Sequence, residues 1–514
     1  MNLDSLLLTL VWTLPFAVVG LSLLIPKGNE LWVKRLHALG SGLGVLIAAW
    51  LTYRLYGRLM VDGAPMGADL RLYAVTRIDW LPSLGISFFT GVDGLSMLLV
   101  LLTAIIVFTG VLASWNTGTQ VKEFFALLQL LGAGVFGVFI SFDLFTFFLF
   151  YEMEAVAMYL LIGVWGSGRR EYGAMKLTLT LMLGSALVLV GILALWASSG
   201  LGTFDLTQLA TVRFSPGLQA WVFPVLFVGF AVSAALFPFH TWSPDGHSAA
   251  PTAVSMLAAG VMMKLGAYGA LRVAMYLCPE GARQWFPVLL YLISFNVVLG
   301  AFIAIRHKDL KFITAYSSIS HLGLVLLGLA AGTYLGVKGA SLQMISHGFL
   351  TGLFFAVIGM IYSRTHTRLV DTQSGLMKVM PFLGVAFVIA GFTGLGLPGL
   401  SGFVAEATIF IGAFQNPDPQ VRILTVLAVL GITTTAVYVV RTANFILHGP
   451  FRVDDGHGHV MEKPETSGLT DASGVEKLAL TLLIACILGM GLFPGWISRM
   501  LDTSLLPMFR ALSR

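Results

Sequence analysis

Six ionisable side chains stand inside long apolar segments of this sequence: Glu152, Glu154, Lys264, His321, His347 and Glu406. A charge at the bilayer centre costs roughly 2.5–3.5 kcal/mol on insertion scales, so a chain keeps one only where partners or a polar cavity offset it. The residue types point to proton handling. Desolvation weakens a carboxylic acid and makes lysine a weaker base, which brings both toward the range where histidine already titrates. A metal site would need converging ligands, and His321 and His347 lie on different expected helices with no acid nearby in sequence, so no metal is expected. Glu152 and Glu154, two apart at about 100° per residue, point to roughly opposite helix faces and cannot share a partner. Glu154 is expected to face an adjacent helix or a subunit interface.

The stretch Phe237-Pro238-Phe239-His240-Thr241-Trp242-Ser243-Pro244-Asp245-Gly246-His247 interrupts another apolar segment just before Lys264. Irregular backbone at membrane depth is tolerated only where protein or a water-lined cavity satisfies it, so such a break marks a transport path. Ser233 and His240, seven apart, are expected to share one face of the broken helix, with water able to bridge them. Ser233, His240, His247 and Glu154 are therefore accessory candidates. A second break is expected over Gly394-Leu395-Gly396-Leu397-Pro398-Gly399-Leu400-Ser401-Gly402, inside a segment too long for one crossing.

These side chains need a membrane scaffold. Of 514 residues, 57% are hydrophobic and 11% charged, against about 25% charged in a soluble domain; mean hydropathy is +0.88. Apolar runs predict an all-α polytopic membrane protein of about fourteen spans, near residues 5–25, 37–56, 93–115, 122–141, 143–166, 175–198, 217–240, 251–277, 284–305, 311–332, 336–362, 379–415, 421–448 and 476–498. The broken seventh and twelfth spans lie five apart, an odd number, which predicts two inverted five-helix repeats with discontinuous helices. The first apolar run, Leu6 to Ile25, lacks a basic leader and a small-residue cleavage site and is expected to stay as the first helix.

An even number of spans puts both termini on one side. Lysine and arginine favour the odd-numbered connections, for example Arg169, Arg170 and Lys176, or Arg306, Lys308 and Lys311, which predicts both termini outside. Arg54, Arg58, Arg71 and Arg77 in the long second connection weaken that bias. The net charge of +5 is spread over short loops rather than gathered in a stripe, which argues against nucleic acid. Cys278 and Cys486 are too far apart to suggest a disulfide framework or thiolate site. Gly40-Ser41-Gly42-Leu43-Gly44 lies within a span and reads as helix packing rather than a nucleotide loop, and Asp454-Asp455-Gly456-His457-Gly458-His459 reads as a solvated loop. With no iron–sulfur or nucleotide motif, redox chemistry is expected elsewhere.

Several motifs, taken jointly, resemble the antiporter-like subunits of respiratory complex I, and among them the M type (NuoM or NdhD). They are Gly91-Val92-Asp93-Gly94-Leu95-Ser96; Tyr151-Glu152-Met153-Glu154; Phe239-His240-Thr241-Trp242-Ser243-Pro244-Asp245-Gly246-His247 with Ala250-Pro251-Thr252; Met263-Lys264-Leu265-Gly266-Ala267-Tyr268-Gly269; Ala315-Tyr316-Ser317-Ser318-Ile319-Ser320-His321; Ser346-His347-Gly348; and Gly396-Leu397-Pro398-Gly399 with Gly402-Phe403-Val404-Ala405-Glu406. The resemblance covers roughly residues 90 to 410. It implies a proton-translocating membrane subunit in which Glu152 pairs with a seventh-helix lysine, Lys264 relays centrally, and His321 and His347 lead to Glu406. The chain departs from the pattern at one position: where the family has Phe-Ala-Val-Lys, it reads Phe230-Ala231-Val232-Ser233. Glu152 therefore lacks its usual partner, and a modified proton route is expected, with Lys264 or a water near Ser233 and His240 standing in; the alternative is a subunit that no longer pumps.

The resulting expectation is a proton-translocating subunit of a complex I-type NAD(P)H/quinone oxidoreductase, with N-terminal helices and an external loop over 1–116, antiporter-like repeats over 117–280 and 281–448, and a cytoplasmic loop with the C-terminal helix over 449–514. No cofactor is expected in this chain; iron–sulfur clusters, flavin and quinone belong to partner subunits. Expected partners are L-, N- and K-type membrane neighbours and lipid, in a bacterial inner membrane. The alternative is a subunit of a Mrp-type cation/proton antiporter or a membrane-bound hydrogenase, which share such modules. A purely structural membrane spacer is the non-transport alternative.

Overall fold

The computed structural model describes residues 2–26, 28–62, 70–454 and 460–512; residues 455–459 of the acidic, histidine-containing loop lie outside them. In hydrocarbon every backbone N–H and C=O needs an internal partner, and apolar sequence there becomes helix. Helices α1 (Leu3–Leu23) and α2 (Glu30–Asp62) lead to an antiparallel hairpin, β1 (Tyr73–Leu81) and β2 (Ile86–Val92), with Thr76 opposite Thr90 and Ile78 opposite Phe88. Then come α3 (Gly94–Ala113), α4 (Val121–Ile140), α5 (Leu144–Trp165), α6 (Arg170–Ser199), the short α7 (Leu206–Leu209) and α8 (Pro216–Ser233). Acidic caps start several of them: Asp93 accepts the Ser96 N–H at the head of α3, and Asp143 accepts those of Phe145 and Thr146 at the head of α5. Such a cap satisfies backbone donors that would otherwise be orphaned at a helix end.

After Ser233 the chain leaves the helix and re-enters it as α9 (Trp242–Ala249) and α10 (Thr252–Leu257). The break is satisfied internally, because Trp242 Nε1 donates to the Val232 carbonyl at 2.9 Å and the Phe237 N–H donates to Asn296 Oδ1 at 2.9 Å. Ser233 and His240 consequently do not lie along one helical line as expected; the helix ends at Ser233, and His240 sits in a 3₁₀ turn beyond the break. Two π-helical stretches, Ala258–Met262 and Ala270–Met275, flank α11 (Met263–Gly269), which carries Lys264.

The second half contains α12 (Pro279–Arg306), α13 (Leu310–Ala330) and α14 (Tyr334–Thr365), then the short β3 (Gln373–Ser374), then α15 (Pro381–Gly394), α16 (Ser401–Gln415), α17 (Pro419–Thr433) and α18 (Thr435–Leu447). Strands β4 (Arg452–Asp454) and β5 (Val460–Met461) join β3 in a small antiparallel sheet, and α19 (Gly474–Leu492) and α20 (Gly495–Leu512) end the chain. Thirteen helical spans among the described residues are long and apolar enough to cross a membrane. They coincide with the expected ones except over 379–415, where the fourteen-residue α15 and fifteen-residue α16 are each too short alone. Gly396 and Gly399, with φ of +70° and +93°, turn the chain between them.

Buried α3, α10, α11, α13 and α14 form the centre of the bundle, while α1 and α2 present leucine, tryptophan and tyrosine outward. The hairpin and α20 have no counterpart in the expected spans. Helix α20 is amphipathic and interrupted by Pro507, so it buries Met500, Leu501, Leu505 and Met508 yet falls short of a transmembrane pattern.

Candidate functional site

A row of buried titratable side chains crosses the centre of the bundle, each member supplied by a different helix. Lys264, fully buried on α11, places Nζ 2.8 Å from Nδ1 of His347 on α14. Its ammonium also reaches the carbonyl of Ala259 in the preceding π-helical stretch. Such bulges shift the regular i→i−4 ladder and recur at functional sites. The His347 ring lies 5.4 Å, centroid to centroid, from that of His321 on α13. His321 Nδ1 is in turn 3.3 Å from Glu406 Oε1 on α16, close enough for charge pairing although the two do not form an aligned hydrogen bond. Gln343 Nε2 stands 3.3 Å from the same histidine nitrogen.

The break between α15 and α16 makes room for the last member. A Cβ on Gly396 would lie 2.5 Å from Glu406 Oε2, so the glycine lets the backbone approach the carboxylate. Tyr438 on α18 stands close to Glu406 and donates its hydroxyl to Ser317 at 2.7 Å. Among the described residues, the second nitrogen, Nε2, of both His321 and His347 has no hydrogen-bond partner.

His247 on α9 lies within electrostatic reach of Lys264, His347 and Lys311, its ring stacked on Phe355 at 5.0 Å. By sequence Lys311 belongs with the loop charges, but the structure buries it in the first turn of α13, where Nζ donates to the Ala250 carbonyl at 2.6 Å. Nothing in sequence distinguishes it from a solvated lysine, because its partner is a backbone atom 61 residues away.

Glu152 stands apart from this row. It is half-buried on α5 and turns to Ser185 on α6, and among the described residues no lysine or arginine pairs with it. Glu154, on another face of the same helix, is buried beside α4, and its Oε2 has no hydrogen-bond partner among the described residues. Ser233 is buried at the end of α8 and interacts with the Tyr151 hydroxyl without a well-aligned hydrogen bond. His240 is near the Lys176–Asp245 ion pair, whose Nζ–Oδ2 distance is 2.6 Å.

Arg272 and His37, both inside expected spans, escaped the sequence reading. Arg272 is buried against Asp93, and His37 is stacked on Phe125, with neither ring nitrogen hydrogen-bonded among the described residues. Among the described residues, no three of His, Cys, Asp and Glu converge as a metal site would require.

Residues 141–432 match the family described as NADH:quinone oxidoreductase/Mrp antiporter, TM. The chain is 37% identical over 461 residues to NAD(P)H-quinone oxidoreductase chain 4 3 of a Picosynechococcus species, covering 85% of this chain and 83% of that one. It is 34% identical over 490 residues to NAD(P)H-quinone oxidoreductase chain 4 of Gloeobacter violaceus, covering 95% and 89%. Its fold superposes with a TM-score of 0.85 on a chain of respiratory complex I from Thermus thermophilus with bound NADH, at 29% identity and covering 98% and 99%. A chain of the Mrp complex from a Dietzia species shares the fold at a TM-score of 0.83 and 20% identity. This multi-pass membrane protein belongs to the NADH:quinone oxidoreductase/Mrp antiporter family.

Proposed function

We propose that this chain is the proton-translocating membrane subunit of a complex I-type NAD(P)H-quinone oxidoreductase, moving protons laterally along Lys264, His347, His321 and Glu406. The observation that carries the reading is the close succession of these four side chains, from four helices, in the middle of an apolar bundle. Each adjacent pair is close enough for charge or proton transfer directly or through one water. Electron transfer, flavin, iron–sulfur clusters and quinone belong to partner subunits.

With serine in place of the family's lysine, protons reach Lys264 by way of Lys311 and His247 rather than through a Glu152–lysine pair. Glu152 and Glu154 then act at the edge of the bundle, against an adjacent membrane subunit, and Ser233 and His240 are accessory. Counting α15 and α16 as one discontinuous crossing gives fourteen spans, and α8–α9 and α15–α16 are the two broken helices of inverted repeats over 117–280 and 281–448, between flanking units 1–116 and 449–514. Both termini lie on the outer side of a bacterial inner membrane. Arg54 and Arg58 share the single carboxylate of Asp4, and Arg77 pairs with Asp205, which reduces without removing the positive charge of the second connection. The adjoining subunits are of the L, N and K types.

The test is proton release per electron by the assembled complex in sealed liposomes. His347→Leu removes the middle of the row and lowers the ratio, whereas Ser233→Lys leaves it at the wild-type value. An unchanged ratio in His347→Leu contradicts the lateral route, and a raised ratio in Ser233→Lys contradicts the one through Lys311.

A further inference from the structure

Two helical turns beyond Lys264, the chain buries a second charged group that the proton row does not use. Arg272 Nη2 lies 2.5 Å from Asp93 Oδ2, and the two side chains are only 1% and 2% exposed. The other oxygen of Asp93 accepts the Ser96 N–H at 2.9 Å, so both carboxylate oxygens are engaged. The guanidinium lies over the Phe142 and Tyr268 rings, at 5.3 and 5.2 Å, and its Nη1 meets Met508 Sδ at 3.5 Å.

Lys264, Tyr268 and Arg272 are spaced four residues apart and form one file along the same helical face, from the row toward the hairpin end of the bundle. Tyr268 is fully buried and donates its hydroxyl to the Phe139 carbonyl at 3.3 Å. Helix α20 closes that end. The Leu95 N–H donates to Ser504 Oγ at 3.0 Å, and α20 backbone sits so near Gly94 that a Cβ there would lie 1.9 Å from the Met500 carbonyl oxygen.

We propose that Arg272 is a proton seal: it stops protons held at Lys264 from escaping along their own helix to the hairpin end, so that they leave only through His347. This inference rests on the proton-relay reading of Lys264. A guanidinium is not deprotonated in proteins and cannot hand a proton on, as a lysine or histidine can. Paired with Asp93 the group carries no net charge, but it is the guanidinium that lies over the Tyr268 ring, so a proton coming from Lys264 meets the positive end of the pair, as an arginine excludes protons from some aqueous pores. Asp93 is equally unsuited to relay, because its cap bond and ion pair occupy both oxygens. Burial of the pair under Met508 keeps the opposing charge from being screened by water.

The seal is tested without turnover. The assembled complex is placed in sealed liposomes with a trapped pH-sensitive dye, a pH difference is imposed, and its decay is followed. Arg272→Gln is expected to decay at least roughly tenfold faster than wild type, the equivalent of about 1.4 kcal/mol off the barrier. Adding Lys264→Met is expected to restore the slow decay, which it would not do for a leak caused by general damage. Arg272→Lys keeps a cation beside Asp93 but one able to release its proton, so it too decays faster than wild type, and it decides the matter if Arg272→Gln fails to assemble. Wild-type decay in the Arg272 variants that assemble, or a leak that Lys264→Met leaves in place, overturns the proposal. Because no electrons flow, failure of the seal is distinct from failure of the relay, which would instead show as unchanged protons per electron in Lys264→Met alone.

Discussion

Lys264 Nζ and His347 Nδ1, both on buried side chains, lie 2.8 Å apart. At that separation a single proton occupies the space between the two nitrogens, so the pair either shares it or passes it on. When lysine is the ammonium, His347 must accept through Nδ1, which leaves its Nε2 to carry the hydrogen of the neutral ring. The direction of transfer is then set by what adjoins the pair: His247 and Lys311 on one side, His321 and Glu406 on the other.

Glu406 ends the row. Glu406→Gln keeps the shape and the approach of Gly396 but removes the group that takes the proton from His321. Protons per electron should fall in Glu406→Gln, with the complex assembled and electron transfer retained; measurement of proton translocation and quinone reduction in the same liposomes checks it. A structural spacer would leave the ratio unchanged.

Lys311→Met should lower the same ratio, because it removes the buried cation at the charged-loop end of the route while its methylene stem is replaced by packing of similar volume. Lys308, three residues earlier and exposed, is the control. A Lys308→Met variant that matched Lys311→Met would contradict a specific role for the buried side chain.

The contrast between these two lysines marks how far the sequence could be read. Spans, both helix breaks and the row from Lys264 to Glu406 were legible because apolar length and the cost of buried charge act locally along the chain. Lys311 was not, since it stands at a helix end and its partner, the Ala250 carbonyl, is supplied by the fold. The Arg272–Asp93 pair was missed for the same reason: one residue starts α3, the other lies in a π-helical stretch of the eighth expected span, and only packing brings them together. Helix α20 carries too little apolar sequence to register as a span. Ser233 was legible as a departure, but the turn of Glu152 toward Ser185 depends on how α5 and α6 pack.

Stability should depend on an ion pair far from the row. Arg364 on α14 donates from Nη1 and Nη2 to the two oxygens of Glu476 at 3.2 and 2.7 Å, and Glu476 also caps the start of α19. Arg364 is partly exposed, so removing one partner costs less than the roughly 3–5 kcal/mol of a fully buried pair. Arg364→Ala should therefore lower the temperature at which the purified complex loses this subunit, measured by thermal shift in detergent, while Arg364→Lys loses less.

At the surface, the hydrogen bond and charge of Lys308 hold the Asp371 carboxyl below the usual carboxylate range. The shift is downward, so its stabilisation is present above the unfolded value near ~3.9 and is lost as pH falls through the lower folded value. Solvent screening keeps an exposed pair of this kind small. Lys308→Met should shift thermal stability only slightly at neutral pH, and the difference from wild type should vanish once acid has protonated Asp371 in both states.

The most direct measurement is proton translocation per electron in Lys264→Met, with the assembled complex reconstituted in sealed liposomes and quinone reduction followed in the same sample. Methionine fills the lysine's volume without a titratable group, so the row is interrupted at its start while the helix stays packed. A lower number of protons per electron, with quinone reduction retained, is the predicted result. A wild-type ratio in the assembled variant would contradict proton translocation through this subunit.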